Sequence, residues 1–401
     1  MSRLARKEDS EVVRGLEGVV AAETDISFVD GVNGKLYYKG YNIHDIAGHT
    51  SCFAEVAYLL LVGKLPTEAE LEEFRRRIIS EMRIPAQVVK MIEILPPSSH
   101  PMDILRTSVS ALAHFDPEYG DNSPEGSFGK GIRLIAQIPQ LVTVIYRIRR
   151  NKSILSPDPN LNMAANILYM LHGTMPAELH VRAMDMLLVL HADHGLNAST
   201  FAARVTASTW SDIHSAVITA IGTLKGPLHG GANERVMNML KNIKNIDEVE
   251  EYINSMLAQG ERVMGFGHRI YKKEDPRTRH LRALSRALCA ERENGKLYEI
   301  SHRIENYVLK AKGIYPNVDF YSATVQHALG IPEDYYTAMF AASRIPGWVA
   351  HVLEQNKDNR LIRPTSQYIG EYDKHFIPIG ERTTTSAVSS EPPSAFNRTG
   401  E

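Results

Sequence analysis

The sequence predicts a mainly α-helical protein with a small β element near its N-terminus. Apolar residues recur at helical spacing over most of the chain, whereas strand-like alternation is nearly confined to residues 26–40. Within that stretch the dipeptide Asn33-Gly34 separates two apolar runs, which is a strong signal for a hairpin turn. The length of 401 residues is enough for two or three domains of ordinary size.

The first clear helix signal follows the β element. Thr67-Glu68-Ala69-Glu70 has the pattern of a capping box, in which Thr67 and Glu70 satisfy each other's backbone N–H groups. Apolar residues then recur on one face over residues 71–82, and Pro85 marks the expected end of the helix.

Two further helices are predicted over residues 179–190 and 297–311, the second ending at Gly313. Residues 114–129, rich in Asp, Pro, Gly and Ser, and residues 152–162, with two prolines, are expected to be surface connections. Residues 383–401 have few large apolar side chains, so we expect a disordered tail there.

Charge and cysteine content exclude several classes of protein. Forty-five basic and 47 acidic residues give a net charge of −2, which argues against a general affinity for nucleic acid. No apolar run reaches the roughly 18–20 residues of a membrane span. Cys52 and Cys289 are too few for a disulfide framework or a thiolate metal cage, and residues 1–14 lack the pattern of a targeting peptide. We therefore expect a cytoplasmic protein.

The first candidate functional segment is Gly226-Pro227-Leu228-His229-Gly230-Gly231, which precedes an amphipathic run at residues 233–240. Glycines let the backbone approach a ligand closely, and a helix N-terminus favours a neutral imidazole that donates to a carbonyl. An ordinary hydrogen-bonded histidine in a turn is the alternative interpretation of His229.

A second histidine follows glycines in Met264-Gly265-Phe266-Gly267-His268, with Lys272, Lys273 and Arg277 shortly after it. Lysine supplies a point charge for phosphate, and arginine a planar fork for carboxylate, so this segment suits a polyanionic ligand. A solvated charge run with a turn histidine is the alternative.

Asp319 stands among apolar and aromatic residues in the segment 316–322. Desolvation there would raise its pKa and make it a better base. The alternative is an N-cap residue that opens a helix over residues 320–329.

Three isolated signals remain. The pair of histidines in His191-Ala192-Asp193-His194 can supply two metal ligands at most, so ordinary hydrogen bonding is favoured there. Arg344 lies in the apolar stretch 338–352, where a buried guanidinium would need an anion. Arg363 precedes Pro364. For Arg344 and Arg363, each taken alone, an ordinary surface or ion-paired arginine is the favoured interpretation.

Taken together, the order and spacing of these segments resemble the active-site blocks of the citrate synthase family. The matching blocks lie at residues 15–19, 191–200, 226–234, 264–277, 316–323 and 360–364. The resemblance implies a nearly all-helical homodimer with a large domain, residues 1–230 and 330–382, and an inserted, mobile small domain, residues 231–329. The tail, residues 383–401, extends beyond the usual end.

The resemblance also implies the roles of single residues. Asp319 would take a proton from the methyl group of acetyl-CoA, His229 would stabilise the thioester oxygen, and His268 would bind and protonate the carbonyl oxygen of oxaloacetate. The implied oxaloacetate ligands are His194, Arg277, Arg344 and, from the second subunit, Arg363. The implied coenzyme A contacts are Val263, Met264, Gly265, Phe266, Gly267 and Lys272. Coenzyme A is then a co-substrate, with no permanently bound cofactor and no metal.

Three alternatives to citrate synthesis stay open from the sequence. The nearest is 2-methylcitrate synthesis from propionyl-CoA, although Leu228 and residues 319–321 look closer to the acetyl-CoA form. A metallohydrolase using His191, Asp193, His194 and Asp319, or a helical scaffold without catalysis, are more distant possibilities. Thr365 stands where many family members have a second arginine after Arg363-Pro364, which weakens the distinction between sister activities.

Overall fold

The computed structural model describes residues 12–50, 52–291 and 295–382. The chain divides into two compact units, Val20–Ile362 and the two chain ends, Met1–Val19 with Arg363–Glu401. The predicted disordered tail, residues 383–401, lies outside the described residues. The predicted domain boundaries at residues 230 and 329 fall within the larger unit and stay a prediction.

The unit Val20–Ile362 is built almost entirely of helices, which confirms the predicted fold class. In the described part of this unit there are sixteen α-helices. They are α1 Ile43–His49, α2 Phe53–Val62, α3 Glu68–Ser80, α4 Ala86–Ile94, α5 Pro101–Ala113, α6 Pro124–Arg149, α7 Met163–His172, α8 Glu178–His191, α9 Ala198–Ala207, α10 Ile213–Leu224, α11 Ala232–Asn242, α12 Val249–Ala258, α13 Thr278–Ala290, α14 Lys296–Lys312, α15 Val318–Ala328 and α16 Tyr336–Lys357.

The β element is a three-stranded antiparallel sheet in the order β1 Ser27–Asp30, β2 Lys35–Tyr38 and β3 Tyr41–Asn42. In the first hairpin Asp30 pairs with Lys35, and Gly34 takes a φ of 66° in the predicted turn. The second turn consists of Lys39 and Gly40, both with positive φ, which suits a tight two-residue hairpin. The sequence did not predict this short third strand.

The predicted helix ends are mostly present. Glu70 donates its backbone N–H to Thr67 Oγ1 at 3.3 Å, and its carboxylate accepts the Thr67 backbone N–H at 2.8 Å, so the capping box forms. Helix α14 ends at Gly313, whose φ is 67°. Helix α3 ends at Ser80, earlier than Pro85 suggested.

The expectation of a surface connection over residues 114–129 was wrong in its second half. Helix α6 begins at Pro124, and the Ser123 hydroxyl caps it by accepting the Gly126 N–H at 3.1 Å. Proline is favoured in the first turn of a helix because it has no N–H to lose there, so a loop-like composition here marks a helix start. The connection expected at residues 152–162 is present between α6 and α7.

Helices α6 and α16 are buried along most of their length and pack against each other. Near the middle of α16, Gly347 donates its N–H to the carbonyl of Ala192 at 3.1 Å, in the segment that follows α8. A Cβ atom at this position would collide with that carbonyl and would come within 2.5 Å of Asp193 Oδ1. The absence of a side chain at Gly347 therefore lets α16 hold the segment that contains His191, Asp193 and His194.

The chain-end unit contains two 3₁₀ turns in its described part, Arg14–Leu16 and Ile379–Glu381. The Arg382 guanidinium lies 5.3 Å from the ring centre of Phe376 and donates to the Ile377 carbonyl at 2.8 Å. Arg363 belongs to this unit. Across the described residues, none of the helices combines the length and apolar character needed to span a bilayer.

Replacing Gly347 with alanine should lower the free energy of unfolding by about 1–3 kcal/mol, because the new methyl group overpacks a rigid backbone contact. Gly222→Ala is the matched control: it lies inside α10, and Arg106 Cδ, its nearest neighbour, is 3.8 Å from the place that a Cβ atom would take. That change should raise stability by about 0.5–1 kcal/mol through helix propensity. Urea titrations of both variants test this, and equal effects would contradict the proposed close packing.

Candidate active site

His229 lies in the loop between α10 and α11, and its imidazole is held by Ser199 in the first turns of α9. The Ser199 backbone N–H lies 3.3 Å from His229 Nε2, and the Ser199 hydroxyl lies 2.8 Å from the same atom. A backbone N–H can only donate, so Nε2 is the acceptor and a neutral His229 carries its proton on Nδ1. Trp348 Nε1 donates to the Ser199 hydroxyl at 3.2 Å and supports this arrangement.

His229 is neutral near pH 7. Burial, followed by the positive charge of Arg344, lowers its pKa to about 4. From the sequence, a helix N-terminus was the expected cause of such a shift; here burial is the largest cause and the charge of Arg344 the second. A neutral imidazole with a free Nδ1–H can donate a hydrogen bond to a carbonyl oxygen.

His268 has the opposite tautomer. Its Nδ1 accepts the backbone N–H groups of Ile270 at 3.0 Å and Tyr271 at 3.1 Å, so its neutral form carries the proton on Nε2. Burial lowers the pKa of His268 to about 4, while the negative charge of Asp275 opposes the shift. A second neutral imidazole donor therefore stands in the same region.

The glycine loop before His268 is paired with the segment that leads into α15. Asn317 donates its backbone N–H to Gly265 O at 2.8 Å and its side-chain amide to Gly267 O at 2.9 Å. Gly265 has a φ of 79°, and a Cβ there would lie 2.9 Å from Phe320 Cβ. The Phe266 and Phe320 rings are in edge contact, with centroids 4.7 Å apart. This pairing sets the predicted coenzyme A loop beside the start of α15.

Asp319 is the second residue of α15, and the alternative of an N-cap role was wrong. Asn317 is the cap, and its side chain accepts the Asp319 N–H at 3.0 Å. The Oδ1 atom of Asp319 is buried and has no hydrogen-bond partner among the described residues. Burial raises the pKa of Asp319 to about 7, against the opposing charges of Arg277 and Arg344. This carboxyl group therefore exchanges a proton near neutral pH.

His194 packs against His268, with ring centroids 5.2 Å apart, and its Nε2 lies 3.2 Å from the hydroxyl of Tyr271. Burial and the neighbouring charge of Arg277 hold the pKa of His194 well below its usual range. His191, three residues earlier, donates from Nδ1 to the Leu187 carbonyl at 2.8 Å.

Two arginines supply positive charge inside this region. Arg277 forms two parallel hydrogen bonds with Asp275, at 2.9 Å from Nε and 2.7 Å from Nη2. Arg344 donates from Nε to the His191 carbonyl at 2.6 Å, and its guanidinium lies 4.8 Å from the ring centre of Phe340. Its Nη2 is buried without a hydrogen-bond partner in the described part of the chain. Burial lowers the pKa of Arg344 to about 10, as expected for a cation that needs an anion.

The structure thus brings His194, His229, His268, Asp319, Arg277 and Arg344 into one electrostatically coupled region. Lys272 is exposed, and its backbone N–H donates to Gly31 O at 2.9 Å. Val263 is buried, and Met264 is partly buried. Arg363 lies in the other unit and its role stays a prediction.

Ser199, Tyr271 and Phe340 were not among the site residues predicted from the sequence. Phe340 meets the edges of His191 and His229 at centroid distances of 4.9 and 6.4 Å. Ser199 and Tyr271 lie inside blocks that carried the family resemblance, which is the only signal that pointed to them. Ser199 is 30 residues from His229 in the sequence, and Tyr271 is 77 residues from His194. Sequence spacing therefore could not reveal these contacts.

The metallohydrolase alternative has no support in this geometry. Among the described residues, no group of three or more His, Cys, Asp or Glu side chains is arranged to hold a metal ion. Asp193 instead accepts hydrogen bonds from the Ser27 hydroxyl and the Gly195 N–H, and lies 3.3 Å from His351 Nε2.

Comparisons with known proteins agree with the resemblance. The family described as citrate synthase, C-terminal domain, matches residues 15–365. Citrate synthase of Haloferax volcanii is 48% identical over 93% of this chain and 99% of its own length. The chain belongs to the citrate synthase family.

A further relative and a solved structure are also similar to this chain. The 2-methylcitrate synthase of Shewanella oneidensis is 39% identical, covering 92% of this chain and 97% of that protein. Citrate synthase of Thermoplasma acidophilum, solved with carboxymethyl coenzyme A and oxaloacetate, is 34% identical with a TM-score of 0.89, covering 93% of this chain and all of that one. The protein is an enzyme, a transferase of the citrate synthase type, so the scaffold alternative was wrong.

One buried and three half-buried histidines are expected to make the stability of this protein depend on pH. Burial lowers the pKa of His191 to about 3 and of His229, His268 and His280 to about 4, from the ordinary value of 6.5. Below pH 6.5 the unfolded chain binds protons that the folded chain does not, so acid favours unfolding. Asp319 acts in the opposite sense, because its pKa is raised from 3.8 to about 7 in the folded protein. Between these two pH values the folded chain binds a proton that the unfolded chain does not, so acid favours folding through this group.

We therefore expect the free energy of unfolding to fall as the pH is lowered from about 6.5 towards 4, since four imidazoles outweigh two carboxyls, that of Asp319 and that of Asp185, whose pKa burial raises to about 6. Urea titrations across this range measure it. The Asp319→Asn variant should show a steeper fall, because one of the two opposing groups is gone. A flat profile would show that these imidazoles are not buried in the neutral form.

Proposed function

We propose that this enzyme condenses acetyl-CoA with oxaloacetate and hydrolyses the resulting citryl-CoA to citrate and CoA. The observation that carries the proposal is Asp319. Its Oδ1 is buried without a partner among the described residues, and its pKa is about 7. A carboxyl group of this kind is suited to remove a proton from a weak carbon acid at neutral pH.

In the first step Asp319, in its ionised form, takes a proton from the methyl group of acetyl-CoA. Negative charge then develops on the thioester oxygen. His229 would donate its Nδ1–H to that oxygen, since Ser199 occupies Nε2. Because His229 is already neutral and oriented by Ser199, the donor needs no rearrangement as the charge appears.

In the second step the enol or enolate carbon attacks the ketone carbon of oxaloacetate. His268 would bond the ketone oxygen through Nε2–H, because its Nδ1 accepts backbone N–H groups. This proton would pass to the new alkoxide, and the proton that Asp319 took from the methyl group would restore the neutral imidazole and the ionised carboxylate. Water then cleaves the thioester of citryl-CoA, which gives citrate, CoA and a proton. The hydrolysis makes the overall reaction favourable.

Oxaloacetate carries two carboxylates, which call for fixed cations. Arg277 is oriented by Asp275, and Arg344 has a buried Nη2 with no partner in the described residues, which supports their assignment as ligands. His194 would add a hydrogen bond. We propose that Arg363 of a second subunit completes the site, so that the working unit is a homodimer.

Coenzyme A would lie along Val263, Met264, Gly265, Phe266 and Gly267, with Lys272 facing phosphate. The exposed position of Lys272 and the lack of side chains at Gly265 and Gly267 support this. Residues 231–329 would close as a small domain over both substrates.

A cytoplasmic location fits a chain with two buried cysteines.

Acetyl-CoA is the proposed acyl substrate, because the relatives named citrate synthase reach 48% identity and the 2-methylcitrate synthase 39%. The test is thiol release from acetyl-CoA and propionyl-CoA, each with oxaloacetate. We expect the higher kcat/KM with acetyl-CoA, by about 10- to 200-fold, the range that one methylene allows. A preference for propionyl-CoA would identify 2-methylcitrate synthesis instead.

Asp319→Asn should lower kcat by about 10²–10⁴-fold and leave oxaloacetate binding nearly unchanged, since only the base is lost. Asp334→Asn, at an acidic residue paired with Arg149, is the control and should keep normal turnover.

Arg363→Ala should weaken oxaloacetate binding.

Mixing the Asp319→Asn and Arg363→Ala proteins tests the shared site. Half of randomly reassorted dimers are hybrids with one intact site, so about a quarter of the wild-type activity should return. No recovery, despite subunit exchange shown by mass spectrometry, would exclude donation of Arg363 across a dimer.

A further inference from the structure

We propose that Tyr271 is a positioning residue of the oxaloacetate site, which fixes the orientation and the tautomer of His194. This inference rests on the proposed function, because it assumes that His194 contacts oxaloacetate. Tyr271 is buried, with 4% of its surface exposed, and its hydroxyl lies 3.2 Å from His194 Nε2.

Three aromatic rings form a closed triangle at this place. The ring centroids are 4.6 Å apart between His268 and Tyr271, 5.2 Å between His194 and His268, and 5.5 Å between His194 and Tyr271. His194 comes from the segment between α8 and α9, whereas the other two rings come from the loop before α13. Tyr271 therefore sets the distance between two imidazoles that different parts of the chain supply.

Tyr271 is itself held by its backbone. Its N–H donates to His268 Nδ1 at 3.1 Å, and the next N–H, of Lys272, donates to Gly31 O at 2.9 Å in the turn between β1 and β2. Gly31 leaves no room for a side chain, because a Cβ there would lie 2.8 Å from Ile270 Cγ2. These two backbone hydrogen bonds fix the main chain at Tyr271 and so the position from which its phenol contacts His194.

The protonation states define which atom donates. Burial raises the pKa of Tyr271 and lowers that of His194, so a neutral phenol faces a neutral imidazole. Phenol is the stronger acid and imidazole nitrogen the stronger base, so the hydroxyl donates to Nε2. His194 then carries its own proton on Nδ1, and this N–H is the donor left for a carboxylate of oxaloacetate. Without the hydroxyl, both tautomers and more than one ring orientation become accessible.

The test is Tyr271→Phe, which removes only the hydroxyl. We expect the KM for oxaloacetate to rise about tenfold, as for a lost hydrogen bond, with kcat and the KM for acetyl-CoA changed less than about twofold. Calorimetric titration with oxaloacetate should show the same tenfold weakening. Tyr335→Phe is the matched control: Tyr335 is also buried, and its hydroxyl accepts a hydrogen bond from Arg149 at 3.0 Å. It should leave all three constants unchanged.

A second measurement needs no folded variant of Tyr271. In wild-type protein labelled with ¹⁵N-histidine, the His194 resonances, assigned by their loss in His194→Gln, should show a protonated Nδ1 and an unprotonated Nε2. The opposite tautomer would overturn the inference. So would a Tyr271→Phe enzyme that turns over with an unchanged oxaloacetate KM, or one that loses kcat and both substrate affinities together. These results leave the proposed function standing, whereas absence of thiol release by the wild-type enzyme would overturn that function first.

Discussion

The buried guanidinium of Arg344 is the constraint on which the rest of the site depends. A cation in this position is costly unless an anion or hydrogen-bond acceptors compensate for lost water. The His191 carbonyl satisfies Nε, and the charge of Asp193 raises the pKa of Arg344, but Nη2 stays without a partner in the described residues. The core helix α16 fixes the residue, so the protein retains a positive charge that an anionic substrate can neutralise.

The positive charge of Arg344 also influences the protonation of neighbouring side chains. It helps to keep His229 neutral, and it moderates the rise in the pKa of Asp319 that burial causes. Backbone N–H groups then select the tautomers, at Nε2 of His229 and at Nδ1 of His268. Because backbone donors cannot reverse their role, the two neutral imidazoles carry their protons on different nitrogen atoms, Nδ1 in His229 and Nε2 in His268.

The sequence was sufficient for features that depend on local patterns. The capping box at Thr67, the Asn33-Gly34 hairpin and the glycine end of α14 are all present. The sequence was misleading where the same residue types occur in loops and at helix starts. Pro124 lies in a segment predicted to be a loop but begins α6, and the cap of α15 is Asn317, two residues before Asp319. The candidate residues His229, His268 and Asp319 came from the order of their motifs. The contacts that orient them, from Ser199 and Tyr271, join distant parts of the chain and required the fold.

The pKa of Asp319, near 7, links substrate binding to the protons of the surrounding solution. In the free enzyme at neutral pH, molecules with a charged and an uncharged Asp319 coexist in comparable amounts. If oxaloacetate binds beside Asp319 as proposed, its negative charges disfavour the charged form of the carboxyl, so that binding takes up a fraction of a proton. The apparent affinity for oxaloacetate would then depend on pH, and the heat of binding on the ionisation of the buffer that supplies the proton.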